Sequence, residues 1–162
     1  FISFEEFAGL DSFFERQEKD LSEALYYYIS KGNDKISKIV ECIGTGRDFD
    51  YLYPAGCPED VGIISAEKLF EFVEVIARSG IYKEIVVDMG NLCNNPFEFI
   101  SRSNNILMPE AIGNVGKEKQ QKFMDYLAKS RFKNISNRIH IIRLLQAESF
   151  RSFNNGRYGF RR

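Results

Sequence analysis

The sequence predicts an α/β fold in which helices cover both faces of a mostly parallel β-sheet. Segments typical of strands alternate with segments typical of helices, and short connections between them favour right-handed crossovers. Residues 85–87 are three consecutive β-branched apolar residues, which is typical of a strand buried on both faces. The chain has 162 residues, 44% of them apolar, so we expect a single domain over 1–162 with a hydrophobic core.

The first half of the chain is predicted to contain two strands and three helices. Asp20 is a suitable N-cap, because its side chain can accept hydrogen bonds from the first amides of a helix. Ser65 precedes the most regular amphipathic segment in the same way, and Gly80 follows that segment as a stop signal. The predicted elements are a strand over 1–4, helices over 21–29 and 36–44, a strand over 50–54 and a helix over 66–78.

The second half is predicted to continue this alternation. Pro96 favours the first turn of a short helix, and Pro109 is expected to end a short strand. In the last helix, Phe123, Tyr126 and Leu127 are predicted to face the core. The predicted elements are a strand over 84–90, a helix over 96–100, a strand over 105–108, a helix over 117–129 and a strand over 138–144.

Candidate functional residues follow two of the predicted strands, at the carboxyl edge where α/β sheets bind ligands. Asp88 comes directly after the run 85–87, where a carboxylate can hold a hydrated Mg²⁺ beside a phosphate chain. Gly90 allows the backbone to approach a phosphate closely. Glu5 ends the first strand, where a carboxylate can orient an attacking water. A second interpretation stays open, in which both acids only solvate strand ends or cap a helix.

Several other kinds of site are not indicated by the sequence. The patterns G-x-x-x-x-G-K-[ST] and G-x-G-x-x-G, which bind phosphates, have no match in the 162 residues. His140 is the only histidine, and we expect it to be a packed or edge-facing strand residue rather than a ligand. The three cysteines form no C-x-x-C pair, and a reduced, cytoplasmic setting is the simplest interpretation. With a single histidine and scattered cysteines, a structural zinc site is not indicated. No apolar run approaches the roughly 20 residues of a membrane helix.

The charge of the chain is unevenly distributed, although the formal net charge is only -1. Residues 131–162, here called the basic tail, contain eight basic residues and one acidic residue. Such a segment indicates an anionic partner, DNA or a membrane surface. The alternative is a C-terminal helix that packs its aromatic side chains and exposes its arginines to solvent.

The order of several segments resembles that of the ParA/MinD-type P-loop ATPases, and most closely their divergent CpaE-like branch. Residues 1–9 are similar to the second strand and loop of that family, with Ser3 and Glu5 at its two acidic positions. Residues 82–88 look like the strand that ends in the Walker B acid. The remaining similar segments are 51–59, 65–78, 103–109 and 155–159.

The resemblance implies a Rossmann-like P-loop NTPase fold that binds ATP with Mg²⁺ and forms a nucleotide-dependent homodimer. Asp88 would correspond to the Walker B acid and Glu5 to the acid that activates water. The phosphate-binding loop of the family would fall before Phe1, so we expect a sheet that is incomplete at the N-terminus and a chain covering two thirds of the family domain. Residues 89–91 replace the usual proline-containing switch segment.

The function implied by the resemblance is an ATP-binding, weakly hydrolysing switch for intracellular positioning or assembly. It is an ATP hydrolase only if the upstream phosphate loop exists. Ser3, Glu5 and the segment 89–91 favour an alternative, a non-catalytic interaction module that keeps the fold of the ATPases. A DNA-binding domain acting through the basic tail is a further alternative.

Overall fold

The computed structural model describes residues 1–5, 9–10, 13–30, 34–90 and 95–143. The chain divides into two compact units, residues 1–102 and residues 103–162. Over the described ranges it is a mixed α/β fold whose short strands form three pairs, two of them parallel. The predicted α/β class and the mostly parallel pairing are therefore confirmed. No helix in these ranges is long and apolar enough to cross a membrane.

Unit 1 (residues 1–102) contains nine elements within its described part. Strand β1 is only two residues long, and the longest element is a helix of 13 residues. In order they are β1 (Ile2–Ser3), α1 (Leu21–Ile29), α2 (Lys35–Val40), β2 (Ile43–Thr45), β3 (Asp50–Leu52), α3 (Pro58–Gly62), α4 (Ala66–Arg78), β4 (Val87–Asp88) and α5 (Pro96–Arg102).

Strand β1 lies between β3 and β4 in unit 1. It pairs in parallel with β4, with Ser3 opposite Asp88. On its other side, the Phe1 nitrogen donates to the Asp50 carbonyl at 2.6 Å, and the Leu52 nitrogen donates to the Phe1 carbonyl at 2.9 Å. This is the pattern of a parallel ladder, while β2 and β3 pair antiparallel. The lateral order is therefore β2–β3–β1–β4, and the carboxyl ends of β3, β1 and β4 share one edge.

The two best predicted helices have the expected bounds and caps. At the start of α1, an oxygen of Asp20 accepts hydrogen bonds from the nitrogens of Ser22 at 2.8 Å and Glu23 at 3.3 Å. At the start of α4, the Ser65 hydroxyl accepts from the Lys68 nitrogen at 3.4 Å. Gly80 follows α4 with φ +73°, the left-handed conformation that commonly ends a helix. Both N-cap predictions are confirmed.

The core of unit 1 lies where the inward faces of α1 and α4 meet the strands. Phe4 follows β1 with no exposed surface, and its ring meets Phe99 edge-on at 5.9 Å between centroids. Apolar burial of this kind is the main term that stabilises a fold. The fully buried side chains around Phe4 include Leu21, Leu25, Ile39, Leu52, Val61, Leu69 and Phe72.

One helix prediction and one strand prediction in unit 1 are corrected by the structure. The helix predicted over 36–44 ends at Val40, and residues 43–45 form β2 instead. Gly44 is a poor helix residue, and a Cβ atom at this position would lie only 3.0 Å from the Tyr51 ring and from the Gln17 side chain. The strand predicted over 84–90 is limited to Val87–Asp88 and is not buried on both faces, since Val86 is 54% exposed. Among the described residues only β1 pairs with β4.

Unit 2 (residues 103–162, described to 143) pairs β5 (Ile106–Pro109) in parallel with β6 (Ile139–Ile142). Helix α6 (Gly113–Lys129) and a 3₁₀ helix (Lys133–Arg138) lie between them in sequence. Leu127 and Ile135 are its buried side chains. Helix α6 starts four residues earlier than predicted.

Two further predictions are corrected in unit 2. Pro109 is the last residue of β5 rather than the residue that stops it. The Glu110 nitrogen donates to the Ile142 carbonyl at 2.8 Å, so the nitrogen of Pro109 faces away from β6 and no hydrogen bond is lost. Tyr126 does not face the core, because it is 49% exposed while its neighbour Leu127 is buried. His140 is exposed on β6, as expected of an edge-facing residue.

Candidate functional site

The predicted site residues Glu5, Asp88 and Gly90 come together at the carboxyl edge of β1 and β4. Their register aligns Ser3 with Asp88, and the Phe4 nitrogen donates to the Asp88 carbonyl at 2.8 Å. Glu5 follows Phe4, and Gly90 lies two residues after Asp88. The parallel pairing therefore brings Glu5 close to Asp88 and Gly90, which are far from it in sequence, and we call these three residues, with Ser3, the carboxyl-edge site.

Ser3 is the residue that connects the two acids of this site. It is only 1% exposed. Its hydroxyl donates to Oδ2 of Asp88 at 3.1 Å and accepts from the Glu5 nitrogen at 3.2 Å. These contacts hold the Asp88 carboxylate in one orientation and fix the backbone at Glu5. From the sequence, Ser3 was recognised only as the residue that replaces an acid of the family. Its role in positioning Asp88 and Glu5 was not predicted.

Gly90 approaches the backbone of Glu5 so closely that no side chain fits between them. Its φ is +50°, a conformation that glycine adopts without steric cost. A Cβ atom at this position would lie 2.8 Å from the Glu5 nitrogen and closer still to the Glu5 Cα. The contact between the two strand ends therefore requires a glycine at this position. The close approach of Gly90 to a phosphate, which the sequence predicted, stays a prediction.

The loop after β3 reaches the same edge and is held there by Asp20. One oxygen of Asp20 caps α1, and the other accepts from the Gly56 nitrogen at 2.9 Å. The Leu21 nitrogen donates to the Tyr53 carbonyl at 2.9 Å. One carboxylate therefore fixes the start of α1 and the loop 53–57 together. The sequence predicted the capping role of Asp20 but not its bond to the loop.

The carboxyl-edge site presents few protein groups to a metal ion. Asp88 is half-buried and Glu5 is exposed. Within the described ranges there is no group of three or more His, Cys, Asp and Glu side chains arranged to hold a metal. An ion at Asp88 would therefore have to complete its shell with water and phosphate oxygens, which is how Mg²⁺ is commonly held beside nucleotides.

The carboxyl ends of β5 and β6 lie in unit 2. Glu110, after β5, pairs with Arg143 with 2.7 Å between Oε2 and Nε. This hydrogen bond to the guanidinium lowers the pKa of Glu110. Asn91 and residues 144–146 fall outside the described ranges.

Several basic side chains at the start of the tail make contacts within unit 2. Arg143 pairs with Glu110, and Arg138 donates to the Ser103 carbonyl. The guanidinium of Arg131 lies 4.8 Å from the centre of the Phe132 ring. The other basic residues past 143 lie outside the described part of the chain. These contacts give three arginines of the tail a local structural role.

Comparisons with protein-family models and with curated proteins found no match for the chain. The chemistry of the carboxyl-edge site consists of two carboxylates on adjacent parallel strands, a buried hydroxyl between them and a glycine that lets the strand ends approach.

Proposed function

We propose that this chain is the ATP-binding part of a cytoplasmic ParA/MinD-like switch with a Rossmann-like P-loop fold. The observation that carries the proposal is the hydrogen bond from Ser3 to Asp88 across two adjacent parallel strands. It supports the proposal because it sets one carboxylate at the carboxyl edge of the sheet, the place where such folds bind nucleotides. Glu5 lies at the same edge, next to Gly90.

In this proposal the residues of the carboxyl-edge site have distinct tasks. Asp88 holds Mg²⁺ through one oxygen or through bound water, while its Oδ2 is kept in place by Ser3. Bound Mg²⁺ neutralises charge on the phosphates. Glu5 is exposed and accepts a hydrogen bond from the water that attacks the terminal phosphate, which is how a carboxylate positions a nucleophile in phosphoryl transfer. Gly90 lets residues 89–90 pass close to Glu5.

The phosphate-binding loop of the proposed ATPase lies outside the 162 residues. These residues contain no G-x-x-x-x-G-K-[ST] segment, so the loop would come from another part of the protein. The switch would act as a nucleotide-dependent homodimer. The basic tail would supply contact with an anionic partner, DNA or a membrane surface, since Lys and Arg side chains bind phosphates through charge.

The proposal is tested by nucleotide binding to the full-length protein. We expect Asp88→Asn to weaken Mg²⁺-dependent binding of ATP at least about tenfold, because the loss of one charged metal ligand costs roughly 1.4 kcal/mol or more. Binding is measured by titration calorimetry with and without EDTA. Glu67→Gln, which removes one negative charge from an exposed position on α4, is the matched control and should bind as the native protein does.

Two results would reject the ATP-binding proposal. The first is a folded full-length protein that binds no ATP with Mg²⁺ at millimolar concentration. The second is an Asp88→Asn variant whose affinity and EDTA sensitivity equal those of the control. Thermal unfolding followed by circular dichroism shows in each case whether the variant is folded.

A non-catalytic interaction module is the second candidate function, and Ser3 favours it. Its hydroxyl occupies one oxygen of Asp88, and a serine cannot supply the charge of the acid that the ATPase family carries at this position. Phosphate release from ATP distinguishes the two candidates. If the full-length protein binds ATP but neither the native form nor Glu5→Gln hydrolyses it, the protein is a non-catalytic module. Turnover that falls on Glu5→Gln supports the ATPase.

A further inference from the structure

The formal charge of the chain divides between its two units. Unit 1 contains 10 basic and 19 acidic residues, whereas unit 2 contains 12 basic and 4 acidic residues. The described part of unit 2, residues 103–143, has eight of these basic residues and three of the acidic ones. Four of the eight are lysines of helix α6. The positive charge of unit 2 is therefore a property of α6 as well as of the basic tail.

One flank of α6 carries exposed side chains at spacings of three and four residues, which align them along the helix. The inner side of α6 is occupied by Leu127, which is buried, and by Gln120, whose side chain bonds to the Met108 sulfur and to the Ala111 nitrogen. The residues of the exposed flank, here called the α6 stripe, are Val115, Lys119, Lys122, Tyr126 and Lys129. Three of the five are lysines, so the stripe is a row of ammonium groups.

The acids of α6 compensate only part of this charge. Lys122 pairs with Glu118, with 2.6 Å between Nζ and Oε1. Asp125 lies one turn before Lys129, and its carboxylate accepts a hydrogen bond from the Gln121 side chain at 2.8 Å. By helical spacing, both acids lie on the side of the stripe away from Lys119. No acid of the described ranges forms an ion pair with Lys119 or Lys129, so both remain available to an anionic partner.

The amino-terminal end of the stripe is apolar and exposed. Ile112, the N-cap residue of α6, is 81% exposed, and Val115 is 68% exposed. Aliphatic side chains gain free energy when they leave water for a hydrocarbon layer. Tyr126, with an apolar ring and a polar hydroxyl, is of the type found at membrane–water interfaces. Lysines beside exposed apolar side chains match the surface of an anionic bilayer.

We propose that α6 is a peripheral contact with an anionic phospholipid bilayer. Lys119 and Lys129 bind the headgroups, while Ile112 and Val115 enter the boundary of the acyl chains. A nucleic acid would use the lysines but would leave both aliphatic side chains in water, so the observations favour a bilayer. The contact precedes the basic tail in sequence. It goes beyond the proposed function, because it does not require ATP.

The test is sedimentation of the full-length protein with two kinds of vesicle. One contains phosphatidylcholine alone, and the other also contains about 30% phosphatidylserine. We expect binding to the anionic vesicles only. The affinity should fall at least about tenfold between about 0.1 M and about 0.5 M salt, because salt screens the attraction between lysines and headgroups.

The double variant Lys119→Gln/Lys129→Gln removes the two uncompensated charges and leaves the basic tail intact. We expect it to bind the anionic vesicles about 20–30-fold more weakly, since each lysine near such a surface contributes about fivefold. Lys68→Gln/Lys83→Gln is the matched control, because both lysines are exposed in unit 1. It should bind as the native protein does.

The double variant Ile112→Ser/Val115→Ser distinguishes a bilayer from a nucleic acid. It keeps every charge, and we expect its affinity for the anionic vesicles to fall about tenfold, because two aliphatic side chains no longer enter the lipid. The affinity of the protein for a duplex DNA should be unchanged. Ile63→Ser is the control, because Ile63 in unit 1 is also 81% exposed, and it should bind vesicles normally.

Three outcomes would overturn the proposal. The first is no sedimentation with the anionic vesicles. The second is undiminished binding by either double variant when circular dichroism shows it to be folded, which would assign the contact to another part of the chain. The third is binding to duplex DNA, without binding to vesicles, that is lost in Lys119→Gln/Lys129→Gln. ATP titration keeps this proposal apart from the ATP-binding one, because both double variants should bind ATP normally and Asp88→Asn should bind vesicles normally.

Discussion

The two edges of the parallel strands in unit 1 carry similar residues in opposite kinds of structure. At the carboxyl edge, a buried serine hydroxyl links Asp88 to the backbone of Glu5, and Gly90 lies against that backbone. At the amino edge, Asp50 binds the Tyr82 hydroxyl beside a cavity of about 430 Å³. An acid at a strand end therefore does not by itself define a site. The residues around the acid determine whether there is a cavity next to its carboxylate or only solvent-exposed surface.

The side chains of neighbouring elements explain this difference. Ser3 and Gly90 are small, so the strand ends lie close together, with Asp88 half-buried against Ser3 and Glu5 exposed. At the amino edge the neighbours are rings, and the Tyr51 ring is fixed by its hydrogen bonds and its stacking on Phe14. Rigid rings cannot collapse into the space between them, so a cavity remains.

The close contact at the carboxyl edge predicts the largest effect. We expect Gly90→Ala to lower the free energy of unfolding by about 2–3 kcal/mol, since an added Cβ both clashes with the Glu5 backbone and disfavours a positive φ. Urea denaturation followed by circular dichroism measures this change.

Gly80→Ala is the matched control for the contact. Gly80 also has a positive φ, but no atom lies within 4 Å of the position of its Cβ. Its substitution should cost about 1 kcal/mol, the conformational part alone. Equal losses in the two variants would contradict the close approach of Gly90 to Glu5.

The carboxyl-edge site could be predicted from sequence because its signals are local. Asp88 follows an apolar β-branched run, and Glu5 ends an apolar segment, so both fall at strand ends. The caps Asp20 and Ser65 were predictable for the same reason. The link through Ser3 was not, because it depends on the register between strands 85 residues apart. Strand β2 could not be predicted either, because the spacing of its apolar residues also fits a helix. Only its pairing with β3 shows that this segment is a strand.

The cavity beside Asp50 and Tyr82, at the amino ends of the strands, could not have been found from the sequence. Its lining comes from β2, β3, α4 and the segment before β4, which share no motif. The exposure of Val86 could not be predicted either. A run of β-branched residues indicates a strand with apolar surroundings on both faces, but it does not show which elements cover those faces. Such features depend on which elements become neighbours in space.

The second prediction concerns the loop that joins the carboxyl edge. Asp20→Ala should lower the free energy of unfolding by about 1–2 kcal/mol, because it removes an N-cap and leaves the Gly56 nitrogen without its acceptor. Chemical denaturation measures the loss, and faster hydrogen exchange at Gly56 shows that the loop has been released.

Asp34→Ala is the control for this N-cap. Asp34 occupies the same position before α2 but its side chain makes no capping hydrogen bond. Its removal should therefore cost less than about 0.5 kcal/mol. If both alanine variants lose the same stability, Asp20 does not hold the loop as described.

The smallest predicted effect lies at the amino edge and depends on pH. Tyr82→Phe should cost about 0.5–1 kcal/mol at pH 7, the usual net contribution of one hydrogen bond. Because the pKa of Tyr82 is raised from 10.0 to about 12 in the folded state, its contribution is complete below pH 10 and is lost as the pH rises toward 12. The stability of the native protein should therefore fall more steeply than that of Tyr82→Phe between these values.

Urea denaturation at several values from pH 7 to pH 11.5 tests this difference in slope. Tyr26→Phe is the control, because Tyr26 is 66% exposed on α1 and its removal should leave the pH dependence unchanged. Identical slopes for the native protein and Tyr82→Phe would show that Asp50 does not hold the Tyr82 hydroxyl. The Asp50 carboxylate would then lack its fixed orientation, whereas the bond from Ser3 to Asp88 at the other edge would be unaffected.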